Sequence, residues 1–383
     1  MRRTQRIEKY LAALWQPGPT NGRVGALDGV RAVAAAMVFF VHFDAAFGVP
    51  LRPAPIAGLT AWAGLYGNFG VDLFFMLSGW LLYGGLQRRP QGYAAFMSRR
   101  VRRLYPTFLA VLAIYLVAGL LLPERSKIPA DGALPYVLAN LLLLPGVFPI
   151  VPIISVAWSL SYEMAFYVVL PPICWLLRAL ALSPRARLGV WGLAVIGHSV
   201  VTAWQCAGGR VLMFVAGMAL VDLAAVPRLW AIARSWATPV LAAGILAVGL
   251  DAVAGWRLGS VPSGFSARLP GCGLAQLLTL MVLAFVMLLA LDHDNLLARL
   301  FQLPRVRWFG NISYSYYLVH GLALHVCAAV IGHMIPLAQI PALAVPAVLV
   351  VAFGVTTLAA FALYAAVEYP LSVAQQQARV PVA

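Results

Sequence analysis

Arg31 and His42 stand eleven positions apart inside one apolar run, and at 100° per residue that spacing is about 20° beyond three full helical turns. Both side chains therefore project from one face, about 16 Å apart along the axis. Even lenient insertion scales charge roughly 2.5–3.5 kcal/mol for an arginine at mid-helix, so a shared polar stripe inside a membrane helix marks a function by default. Asp28, one turn before Arg31, and Asp44, two residues past His42, lengthen the stripe. An imidazole titrates near neutrality in water and can remove a proton from a hydroxyl, which makes His42 the candidate general base. The alternative is that Arg31 snorkels to headgroups while His42 is an interhelical hydrogen-bonder.

Other polar residues sit where lipid contact would disfavour them. Asp72 lies among aromatics in the run from Gly70 to Trp80 and needs a partner, while Ser78-Gly79 in the same run permits close helix packing. Trp158-Ser159-Leu160-Ser161-Tyr162-Glu163 opens a later run, and Glu163 either pairs with His42 or faces water. Gly310-Asn311-Ile312-Ser313-Tyr314-Ser315-Tyr316-Tyr317-Leu318-Val319-His320 is rich in hydroxyls, which interhelical hydrogen bonds would use; His320 and His325 read first as structural. Four arginines, Arg99, Arg100, Arg102 and Arg103, fall within five positions just before Tyr105-Pro106. Such a cluster suits a multiply charged phosphate ligand, although orientation and lipid headgroups also draw arginines to a helix mouth.

The elements that position these residues are set by composition. Of 383 residues, 62% are hydrophobic and 10% charged, more apolar surface than a water-soluble fold of this length would bury, so lipid is the expected solvent. The expected fold is an all-α polytopic membrane protein of about ten transmembrane helices. The runs are roughly 26–48, 63–86, 106–123, 158–178, 188–206, 209–225, 238–255, 272–291, 309–332 and 346–366. With the amino terminus cytoplasmic, about 20 of the 27 Lys/Arg fall on the cytoplasmic side, which supports an even count. The apolar stretch 134–154 is broken by Pro135, Pro145, Pro149 and Pro152 and is expected to be re-entrant or interfacial.

On this reading residues 1–25 form a cytoplasmic segment without a cleaved signal, 26–368 the transmembrane domain, and 369–383 a cytoplasmic tail. Apart from Arg31, the cations behind the net charge of +15 fall in the segments between runs or at the ends of runs, where insertion and anionic lipid account for them, so no nucleic-acid partner is expected. Cys174, Cys206, Cys272 and Cys327 stand singly, with no spacing for a metal or a disulfide set, so no metal site is expected. No internal repeat and no soluble domain are visible.

Taken together these segments resemble the acyltransferase-3 family of membrane proteins across nearly the whole chain. Arg31 with His42 resembles the family's arginine, ten residues, histidine signature, and Phe74-Phe75 with Ser78-Gly79 its second motif. Arg99-Arg100 with Arg103-Leu104-Tyr105-Pro106 resembles its arginine motif, and Trp158-Ser159-Leu160 with Glu163 its tryptophan-serine-leucine segment. Ser313-Tyr314 with Tyr317-Leu318 and His320 resembles its tyrosine-rich segment, and Glu368-Tyr369-Pro370 its glutamate-x-proline ending, with tyrosine where a basic residue is common. The resemblance implies an O-acyltransferase of the bacterial inner membrane with both termini cytoplasmic. Its co-substrate would be acyl-CoA, by default acetyl-CoA, with no permanently bound cofactor. The acceptor would be a glycan such as O-antigen or exopolysaccharide, or a glycosylated small molecule. Relatives often carry an extra span and an esterase-like domain, neither of which is expected here.

In that role His42 deprotonates the acceptor for direct attack on the thioester, since no nucleophile-plus-base pair is legible. Arg99, Arg100 and Arg103 hold the CoA phosphates, Arg31 lines the path or binds phosphate, and Tyr105 stacks near the nucleotide. Glu163 or Asp44 either orients the imidazole or helps to bind the sugar, with Asp28, Asp72, Ser78, Tyr314 and His320 as supporting polar groups. The competing reading is a transporter or flippase using the Arg31/His42 path, and a third is a noncatalytic scaffold.

Overall fold

Without water to bond the main chain, an apolar segment in lipid must satisfy its own N–H and C=O groups, and helices do so locally. The computed structural model describes residues 14–15, 25–48, 63–64, 66–205, 210–257, 272–292 and 295–377, and no strand occurs among them. The expected segment 1–25 lies outside the described residues apart from Leu14, Trp15 and Gly25, as does the tail beyond residue 377.

Helix α1 spans Ala26–Phe43 and runs on through a π-helical turn, Asp44–Gly48. Helix α2 is Phe69–Ser78, continued by a second π-helical stretch, Gly79–Tyr83, and a last turn, Gly84–Arg88. Helix α3 is Tyr93–Leu121, α4 Ala133–Leu141, α5 Trp158–Ala179, α6 Pro184–Gln205 and α7 Leu212–Ala224. Then follow α8 Pro227–Arg257, α9 Cys272–Leu291, α10 Leu296–Phe301, α11 Pro304–Asn311 and α12 Ser313–Met334. Helix α13, Val345–Leu363, passes into a third π-helical stretch, Tyr364–Val373.

Among the described residues, seven helical stretches are long and apolar enough to cross a membrane: Ala26–Phe47, Phe69–Arg88, Tyr93–Leu121, Ser155–Ala179, Pro227–Leu246, Ser313–Met334 and Ala342–Val373. The other three expected runs coincide with α6, α7 and α9. Large apolar side chains such as Leu120, Leu193, Val350 and Leu358 face outward, a surface that lipid covers; the chain is an integral membrane protein.

Helix α3 begins thirteen residues before the expected start at 106, so the arginine cluster is helical and Pro106 lies inside the helix. Proline has no N–H to give the carbonyl four residues back, and here the Ser372 hydroxyl donates to the Arg102 carbonyl instead, at 3.0 Å. The stretch 134–154 is the nine-residue α4 followed by turns with Leu143 at φ 54° and Gly146 at φ 94°. At about 14 Å, α4 is far shorter than the roughly 30 Å of a hydrocarbon core. The segment is nonetheless tied down: Tyr105 donates to the Leu141 carbonyl at 3.2 Å, and within the stretch the Ile153 N–H donates to the buried Asn140 Oδ1 at 2.8 Å.

Helix α1 is central, packed against α2, α9, α10, α11, α12 and α13. The Ser78-Gly79 expectation holds: a Cβ at Gly79 would strike the Phe214 carbonyl and lie 3.1 Å from the Gly217 Cα, so two glycines bring α2 and α7 together at their backbones. Gly310 does the same for α11 against the Asp28 carbonyl of α1.

Candidate active site

The polar stripe of α1 meets α12. The His42 and His320 rings lie edge to face, with centroids 4.8 Å apart and planes at 71°. His42 is half-buried, whereas His320 is fully buried. The His320 Nδ1 lies 3.0 Å from the Tyr316 carbonyl one turn back, and Tyr316 stacks on its ring at 3°. Tyr316 shares a 3.0 Å hydrogen bond with Thr356 of α13, and Tyr317 shares one of 2.7 Å with Ser159. The hydroxyls of the tyrosine-rich segment thus fix the histidine from three helices. His325, exposed, bonds the Gly321 carbonyl through Nδ1 at 2.7 Å and lies within Coulombic reach of His42.

A second cluster lies toward the other end of α12, where Ser313 begins the helix. Arg103 Nη1 is 2.5 Å from Oε1 of the fully buried Glu368, whose other oxygen accepts from the Ser315 N–H at 3.0 Å and the Ser315 hydroxyl at 2.6 Å. The Arg103 guanidinium also covers the Tyr314 ring at 5.5 Å, and Tyr314 donates to the Leu104 carbonyl at 2.7 Å. Arg100 lies over Phe96 at 5.6 Å, and Arg99 and Arg102 are exposed. The arginines therefore divide: Arg103 turns inward to a carboxylate, while Arg99 and Arg102 keep their donors outward. Arg31 is half-buried and within Coulombic reach of Tyr364, which neighbours Glu368 and Arg103.

The carboxylate of Glu163 accepts from Ser78 at 3.1 Å and from Tyr167 at 2.5 Å, on the arginine side of the site. Among the described residues no hydrogen bond joins it to His42. Asp28 is paired with Arg307 at 3.5 Å, and Asp44 lies in the π-helical turn beyond His42, against Gly64. Tyr105 meets Phe108 edge-on besides its bond to Leu141.

Several participants were not singled out from the sequence. Asp72 finds its partner in Arg210, at 3.9 Å, and Arg210 covers the Trp158 ring at 5.2 Å. Buried Asp222 accepts from Tyr83 at 2.9 Å, Trp191 at 2.8 Å and Arg187 at 2.8 Å, fastening α2, α6 and α7. An acidic residue in an apolar run was the available signal for Asp222; nothing local marked Arg210, which counts with loop cations. No group of His, Cys, Asp or Glu able to hold a metal occurs among the described residues.

A groove of about 700 Å³ lies on another face of α1, lined by Ala32, Val33, Ala36, Phe309 and Phe353. Its apolar walls and its position around the helix separate it from the Arg31/His42 face.

Residues 24–365 match a family model described as an acyltransferase domain. The chain is 29% identical over 280 residues to the exopolysaccharide production protein ExoZ of Rhizobium meliloti, covering 68% of this chain and 78% of that protein. It is 28% identical over 213 residues to a putative O-acetyltransferase of Staphylococcus aureus, covering 51% of this chain but 31% of that protein. It is 29% identical over 191 residues to the acyltransferase MdmB of Streptomyces mycarofaciens, covering 48% of this chain and 46% of that protein. No solved structure matches the chain.

Proposed function

Since this chain belongs to the acyltransferase family whose model spans residues 24–365, and is thus an enzyme that transfers acyl groups, we propose that it moves an acyl group, acetyl by default, from acyl-CoA to a glycan hydroxyl. The observation that carries this reading is the pairing of two clusters along one helix. From Tyr314 in the arginine cluster to His320 beside His42 is six residues, about 9 Å along α12. Of the three arginines expected to hold CoA phosphate, Arg103 is engaged by Glu368, so a CoA whose phosphates meet Arg99, Arg100 and the exposed Arg102 at the mouth of α3 would reach the histidine pair through its pantetheine arm. Arg31 lines that path.

In the reaction, one His42 nitrogen takes the proton of the acceptor hydroxyl, and the oxygen forms a bond to the thioester carbonyl carbon. The carbon–sulfur bond breaks, and the CoA thiolate leaves with the proton returned from His42 as free thiol. Glu163, held by Ser78 and Tyr167, supports the donor end of the path rather than the imidazole. The name of one relative, the exopolysaccharide production protein ExoZ, favours the glycan acceptor. The membrane is the bacterial inner membrane, crossed about ten times with both termini cytoplasmic and residues 134–154 re-entrant.

The test is thiol release from acetyl-CoA by the purified protein in nanodiscs with a panel of glycan acceptors. Acceptor-dependent release that disappears in His42→Ala and falls in Arg99→Ala is the expected result. Release unaffected by His42→Ala would remove the histidine from the mechanism.

A further inference from the structure

We propose that His320 is the positioning residue for His42, fixing the tautomer in which the base works; this rests on His42 being the base. A carbonyl oxygen only accepts, so the Tyr316 contact requires the proton on His320 Nδ1. The neutral ring then carries its lone pair on Nε2. That atom is fully buried and has no hydrogen-bond partner among the described residues. A buried acceptor without a donor is costly, and the polar ring packed edge to face against the His320 ring is His42, 4.8 Å away between centroids.

With an N–H of His42 directed to His320 Nε2, the other His42 nitrogen is left with the lone pair that receives the hydroxyl proton. Once protonated, His42 keeps the same donor, now charge-assisted, so the contact strengthens as the proton arrives. The lock on His320 is itself rigid: Tyr316 stacks at 3° and is pinned by Thr356, and Tyr317 stands at 6.1 Å and is pinned by Ser159. Packing alone would need an aromatic plate there; the free nitrogen is what packing does not require.

The test compares His320→Phe, which preserves an aromatic plate, with His320→Gln, which returns a carbonyl acceptor. Expected is a kcat loss of about 10- to 100-fold in His320→Phe with the KM for acetyl-CoA within about twofold, partly recovered in His320→Gln. Wild-type kcat in His320→Phe, or equal loss in both variants, overturns the proposal. His42→Ala run in parallel separates the two claims: its inactivity beside a fully active His320→Phe overturns the positioning role alone, whereas an active His42→Ala overturns both. Should the variants fold poorly, nitrogen NMR of histidine-labelled wild type gives an independent answer. A proton on His320 Nδ1 supports the proposal, and one on Nε2 overturns it.

Discussion

Arg103 carries a charge into the bundle because Glu368 meets it there. A buried ion pair repays its desolvation only while both partners remain, and the two Ser315 donors occupy the second carboxylate oxygen. Glu368→Ala is expected to cost about 3–5 kcal/mol by leaving a buried guanidinium unpaired, whereas a joint Arg103→Met and Glu368→Leu change restores most of the loss. Thermal unfolding in detergent measures both. Arg99 is exposed, so Arg99→Ala is expected to leave the melting temperature unchanged while weakening acetyl-CoA binding. If Arg99→Ala instead destabilises the fold and spares binding, the division between inward and outward arginines is wrong. Activity lost in an Arg103 variant speaks first to this pair, since the side chain is already engaged.

At the scale of elements, the departures from regular helix gather around the site. The three π-helical stretches follow His42, follow Ser78 and enclose Glu368, each widening a turn beside a polar side chain. Pro106 leaves a carbonyl open within α3, and Ser372 fills it, tying the arginine helix to the segment that carries Glu368. Ser372→Ala is expected to destabilise by about 1 kcal/mol in the native sequence and by much less in a Pro106→Ala background, where the backbone N–H returns. A double-mutant cycle on unfolding midpoints reads the coupling, and additive effects would refute it. Gly217 lies against the Met76 carbonyl and the Trp80 nitrogen, so Gly217→Leu is expected to part α2 from α7 and prevent accumulation of folded protein. Monodisperse, fully stable Gly217→Leu would contradict that packing.

At the scale of the whole molecule, buried polar side chains such as Asp222, His320 and Glu368 lie inside the bundle and large apolar side chains face outward. The loop between α2 and α3 holds exposed Gln91 beside the arginine end, and that between α12 and α13 holds exposed Gln339 at the far end of α12. The proposed orientation predicts that Gln91→Cys reacts with an impermeant maleimide only from the cytoplasmic face and Gln339→Cys only from the other. Labelling of sealed vesicles of both orientations measures this, and reaction from one shared side would reject the topology. With Cys206→Ser and Cys272→Ser as the background, the remaining Cys174 and Cys327 are buried and contribute little labelling.

Period and composition determined a good deal on their own. The apolar runs gave the helices, the spacing of Arg31 and His42 gave their common face, and Ser78-Gly79 gave a close contact. The motifs in order pointed to acyl transfer. Helical period states which residues share a face, but not which neighbour that face meets. That His42 meets His320, that Glu163 turns to Ser78 and Tyr167, that Arg103 is taken by Glu368 and Asp72 by Arg210 were decided by the packing of helices far apart in sequence. Buried polar groups must find partners, and only the assembled bundle determines which partners lie within reach.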